Sequence, residues 1–108
     1  MTHPMTTDPV LLNEAMNLCL EFGEHWRQPI VGRLLKTHPE LDQPAAEALD
    51  RSVRGIRDWA HKLIASCMLE GTPTEVDTRQ QILDTCPWLD AKTMERLWSQ
   101  GCYYVMKQ

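Results

Sequence analysis

The chain has 108 residues with 43% hydrophobic side chains, 11 Lys and Arg against 15 Asp and Glu, and a net charge of −4. That size sets one domain with a single modest core, and that apolar content sets a folded chain rather than a disordered one. The negative balance opposes general binding to nucleic acid, and no apolar run approaches the roughly 18 residues that would span a bilayer.

Residues 1–7 read as a flexible lead. Asp8-Pro9 then reads as an N-cap followed by proline at the first helical position. From there a helix is expected as far as Arg27, with apolar rows Leu11/Ala15/Leu18/Phe22 and Leu12/Met16/Cys19/Trp26. Two adjacent rows make a wide face to bury. Pro29 interrupts it, and "PIVGRLLKTH" continues as a short helix that stops before Pro39.

Asp42, with Pro44 in the first turn, starts a second long helix expected over about 43–70, where Gly71 offers a stop. Its apolar line, Leu49, Val53, Ile56, Ala60, Leu63 and Cys67, is spaced four, three, four, three, four. That spacing resembles a heptad seam and predicts a central core helix. A third region follows Thr72-Pro73: Thr74 and Asp77 form a capping pair, Val76, Ile82 and Leu83 a weak apolar face, and Pro87 closes it. Asp90 caps a last helix with Met94, Leu97, Trp98 and Val105 inward; Gly101 weakens or ends it, so residues 101–108 are left open. Strand signals are nearly absent. The expectation is an all-α fold, a compact bundle of four to five helices in a single helical domain over 1–108, with the long helix at its centre.

Four constellations could carry chemistry. The long helix bears a basic edge over 51–62, with Arg51, Arg54, Arg57, His61 and Lys62. Phosphate tracking needs several cations with few acids and an aromatic to stack on. Asp58 lies four residues from Arg54 and Trp59 stands alone, so the edge reads first as a solvated face. Arg51, Arg54 and Lys62 are its candidate contacts to an anion or an acidic partner. The second constellation is metal-like: Glu21 and His25 are four apart on the first helix, and Asp58 and His61 three apart on the long one. Helix bundles hold di-metal sites with Glu-x-x-His pairs and further carboxylates; neither pair here has that pattern, so no metal and no cofactor are expected.

The third is "CPWLDAKTMERLW", within residues 80–98, which resembles the turn and second helix of a helix-turn-helix, with Thr93 and Arg96 at reading positions. Pro87-Trp88 stands where that turn favours glycine, Asp84 where it favours a small buried residue, and Asp90 and Glu95 oppose DNA. A helical hairpin is the stronger reading. The fourth is the thiols: Cys19, Cys67, Cys86 and Cys102 show no CxxC spacing and no export signal precedes them, which points to reduced cysteines and a cytoplasmic protein. Cys19 and Cys67 fall on apolar rows; Cys86 and Cys102 are the more exposed candidates. No GxSxG, HExxH, Walker or GxGxxG motif occurs, so catalysis is not expected.

What remains is a non-catalytic interaction module, such as an adaptor, a chaperone-like protein or a regulatory subunit. The apolar and aromatic surplus makes self-association the expected mode. Leu12, Met16, Trp26, Trp98, Tyr103 and Tyr104 are the candidate interface, in a homodimer or with another protein, with nucleic acid the alternative partner and a membrane none.

Overall fold

The computed structural model describes residues 8–21 and 29–107. They form five helices and no strand: α1 (Pro9–Cys19), α2 (Val31–Thr37), α3 (Gln43–Glu70), α4 (Glu75–Thr85) and α5 (Ala91–Lys107). The fold is all-α, and the long helix lies where its start and stop signals put it. The expectations for residues 1–7, and those for Phe22, His25, Trp26 and Arg27, lie outside the described residues.

The helix starts follow local capping chemistry. Asp8 Oδ1 accepts from the Val10 amide at 3.0 Å, with Pro9 at the first helical position. Asp42, Thr74 and Asp90 each accept from the amide three residues on, at 2.8, 3.2 and 2.7 Å. Each satisfies an amide that the first turn leaves without an intrahelical partner. The α3 stop is equally local: Gly71 takes a φ of 74°, and its amide donates to the Cys67 carbonyl at 2.9 Å. Only glycine adopts that left-handed backbone without strain.

The chain divides into two compact units, Met1–Gly55 and Ile56–Gln108. In the first, Leu11, Leu12, Ala15 and Met16 of α1, Ile30 and Leu34 around α2, and Ala46, Leu49 and Val53 of α3 are buried. The first helix is shorter than expected. It ends at Cys19, and Leu20, which donates to the Met16 and Asn17 carbonyls, is buried past the end of the helix. Arg33 of α2 pairs with Glu21, and His38 after α2 pairs with Glu14 of α1, so two ion pairs join these elements across their apolar contact. Ile30 gives α2 no side-chain cap; its amide points instead to Asp50 Oδ1, 3.4 Å away on α3.

In the second unit, the end of α3 packs against α5 at Ile64 and Gly101. A Cβ on Gly101 would lie 2.7 Å from Ile64 Cδ1 and 3.2 Å from its Cβ. The glycine therefore continues the helix to Lys107 rather than ending it, and its missing side chain is what lets α3 approach.

The expected α3 seam needs one correction. Leu49, Val53 and Ala60 are buried as expected, but Ile56, Leu63 and Cys67 are half-buried, and Arg57 and Ile64 take the inward places. A strict four-three pattern holds its face only if the helix supercoils; a straight helix drifts by about 20° per heptad away from it. The buried line, stepping Leu49, Val53, Arg57, Ala60, Ile64, drifts in that sense. On α4, Val76 is exposed rather than inward, and Thr78 and Ile82 fill the core instead.

Candidate functional site

The basic edge of α3 dissolves when its partners are traced. Asp50 is buried, and Arg54 grips it from one turn on, Nε to Oδ1 at 3.1 Å and Nη2 to Oδ2 at 2.6 Å. Asp50, four residues earlier, is thus a partner of Arg54. Arg57 is buried with its Nε donating to Asp58 Oδ1 at 3.0 Å. His61 is half-buried beside Tyr104, ring centroids 5.6 Å apart. Burial first, then the Arg57 charge, pushes its pKa down to about 4, so the ring is neutral at physiological pH. Of the five basic residues, Arg51 and Lys62 are exposed.

Glu21 is taken by Arg33, Asp58 by Arg57, and His61 faces Tyr104, while His25 is outside the described residues. Among the described residues no group of three or more His, Cys, Asp or Glu side chains is placed to hold a metal ion.

Residues 80–98 form a helical hairpin. Arg79 joins its arms: Nε reaches Glu75 Oε2 at 2.8 Å, Nη1 reaches Glu95 Oε1 at 2.7 Å, and the guanidinium sits 4.5 Å from the centre of a Trp98 ring. Thr93, placed on the reading face by the sequence, is fully buried; its amide is held by Asp90 and its side chain belongs to the core. Near the turn the arms enclose an open groove of about 310 Å³ with Leu83, Leu89 and Met94 along it and Arg79, Asp90 and Glu95 at its edge.

All four cysteines are free thiols. Cys19 and Cys86 are buried; Cys67 and Cys102 are half-buried, which reverses the expected places of Cys67 and Cys86. Cys86 caps α4, its amide bound to the Ile82 carbonyl, and the following turn covers it. Burial pushes the Cys86 thiol pKa up; burial and then Glu75 do the same at Cys102. Neither is set up as a nucleophile, because the reactive species is the thiolate.

Of the candidate interface residues, Leu12 and Met16 are 4% and 0% exposed, and Trp98 is 8% exposed. They are covered within the chain itself. Tyr104 is half-buried and Tyr103 is exposed, and Trp26 is outside the described residues. The open apolar side chains lie elsewhere: Val10 at the start of α1 is 74% exposed, and in the second unit Met68 is exposed and Leu69, Val76 and Met106 are 71%, 76% and 78% exposed. Tyr103 joins them, edge-on to Tyr104 and with the Lys107 ammonium 5.5 Å from its ring centre. The Arg79–Glu95 pair, with Arg79 also bound to Glu75, holds α4 against α5, and the Glu75 charge acts on the Cys102 thiol of α5. Leu69 lies in the last turn of α3, Val76 in the first turn of α4, and Tyr103 and Met106 in the last turns of α5.

Sequence reasoning missed Leu69, which ends an apolar run on α3, Met106, which lies in the tail left open, and Asp50, whose role needs the distant Ile30 amide. No helix among the described residues is long and apolar enough to cross a membrane. No protein-family model, no curated protein and no solved structure matches the chain.

Proposed function

We propose that this chain is a non-catalytic, cytoplasmic protein-interaction module that self-associates through the end of its Ile56–Gln108 unit. The observation that supports this reading is the exposure of Leu69 at the end of α3, Val76 at the start of α4, and Tyr103 and Met106 at the end of α5. Isolated exposed apolar residues are ordinary on any surface; several at the helix ends of one unit, with a tyrosine among them, are the composition of an interface centre. Charge supports a second copy as the occupant. The first turn of α4 carries Glu75 and Asp77, and α5 ends on Lys107. A two-fold pairing of this end sets the acids of one copy against the lysine of the other, since an isologous contact presents the same patch twice.

The test is a series of amide correlation spectra at rising protein concentration. Shifts at residues 69, 76, 103 and 106, lost in Met106→Glu, are the expected result, because the substitution buries a charge at the contact. Spectra that do not change with concentration reject the proposal. Changes confined to α1 and α2 reject the assigned surface.

A further inference from the structure

In the first unit one side chain holds two elements in a way that depends on its proton. His38 follows α2, and each of its ring nitrogens meets a carboxylate: Nε2 lies 2.5 Å from Glu14 Oε2 on α1, and Nδ1 lies 3.1 Å from Glu40 Oε1 in the turn before α3. An ionised carboxylate only accepts hydrogen bonds, and a neutral imidazole has one N–H to give. Serving both carboxylates takes two, so the arrangement is that of an imidazolium. The other charged groups on the described elements of this unit are Asp8 and Glu21 flanking α1, Arg33 and Lys36 on α2, Asp42 before α3, and Glu47, Asp50, Arg51 and Arg54 on α3, where Arg54 engages Asp50. Arg33 is committed to Glu21, and Asp42 accepts from the Ala45 amide. Lys36 lies in the last turn of α2.

We propose that His38 is a proton-operated latch: protonated, it ties α1 and the turn before α3 together, and on losing its proton it releases one carboxylate and weakens its hold on the other. The Glu14 arm is the shorter and the more covered, with Glu14 35% and Glu40 69% exposed. The single N–H of the neutral ring therefore stays with Glu14, and Glu40 is let go. The Glu14 hydrogen bond, ahead of Glu40, raises the His38 pKa above its ordinary 6.5, so release falls on the neutral to alkaline side. Because the folded pKa is the higher one, the latch stabilises fully below about 6.5 and loses that contribution as pH rises through the folded value.

A proton NMR titration of the full chain tests this, following the His38 ring together with the amides of residues 12–16 and 38–42. The expected result is a His38 pKa above 6.5, with both amide groups shifting at that same midpoint. Glu14→Gln should lower the pKa more than Glu40→Gln does, and His38→Gln, whose fold the same spectra report, should abolish the coincident amide shifts. A His38 pKa at or below 6.5 overturns the latch. So do α1 amides that ignore the His38 midpoint, or that keep titrating in His38→Gln.

Discussion

His61 and His38 are the same residue type displaced in opposite directions by their surroundings. His61 has a buried Nε2 with no hydrogen-bond partner among the described residues, and its folded pKa is about 4. A base depressed on folding stabilises above its unfolded value and stops doing so as pH falls. The His61 contribution is therefore complete above about 6.5 and is lost as pH drops toward 4. In an imidazole NMR titration His61 should stay neutral at pH 5; protonation complete by then would contradict its burial. Gly101 gives a second test at this scale. Alanine normally gains about 1 kcal/mol over glycine in a helix interior. Here the new Cβ meets the Cβ of Ile64 as well as its flexible end, and overpacking of that kind costs about 1–3 kcal/mol. Gly101→Ala should lower stability in a urea melt, and Ile64→Val in the same chain should recover part of the loss, a coupling that a double-mutant cycle measures. Arg54 gives a third. As the counterion of buried Asp50, its removal should cost about 1.5–3 kcal/mol, whereas Arg51→Ala should stay within about 0.5 kcal/mol. Nothing in the sequence distinguished these two arginines, because what separates them is the burial of Asp50, which also bonds the Ile30 amide twenty residues away.

At the scale of elements, the ends were more legible than the faces. Asp8, Asp42, Thr74, Asp90 and Gly71 act through hydrogen bonds within a few residues, so their types and spacing carry the signal. The inward side of a long helix is set by neighbours, and a one-residue shift turns it by about 100°. That shift is what separates Leu63 from Ile64. The apolar line of the sequence keeps a 3.5 period, while the structure follows the rotation of a straight helix. A direct comparison follows: Ile64→Ala should cost about 2–5 kcal/mol, as deletion of a fully buried aliphatic side chain does, and Leu63→Ala clearly less. Equal costs would restore the original seam. The extent of α1 was the least legible feature. Its pattern of apolar residues continues past Cys19, so the pattern contains no reason to stop there, yet Leu20 already leaves the helix.

For the whole molecule, the expectation of an apolar surplus on the first helix meets a different arrangement. Residues around α2 supply Ile30 and Leu34 to the core, and Leu12 and Met16 are closed off within the chain. The net charge of −4 defines no partner. The residues that the proposed interface needs are instead the exposed apolar ones at the helix ends of the second unit. An interface of ordinary size takes about 800 Å² from each partner, more than four side chains alone provide, so the polar residues around them must take part in the contact. Light scattering on the full chain over a concentration series tests self-association most directly. The expected result is a mass that rises with concentration from 12.5 kDa toward twice that value, and that stays at the monomer value in Met106→Glu. A mass of 12.5 kDa that does not change with concentration contradicts self-association, and a dimer that survives Met106→Glu and Val76→Glu contradicts the surface assigned to it.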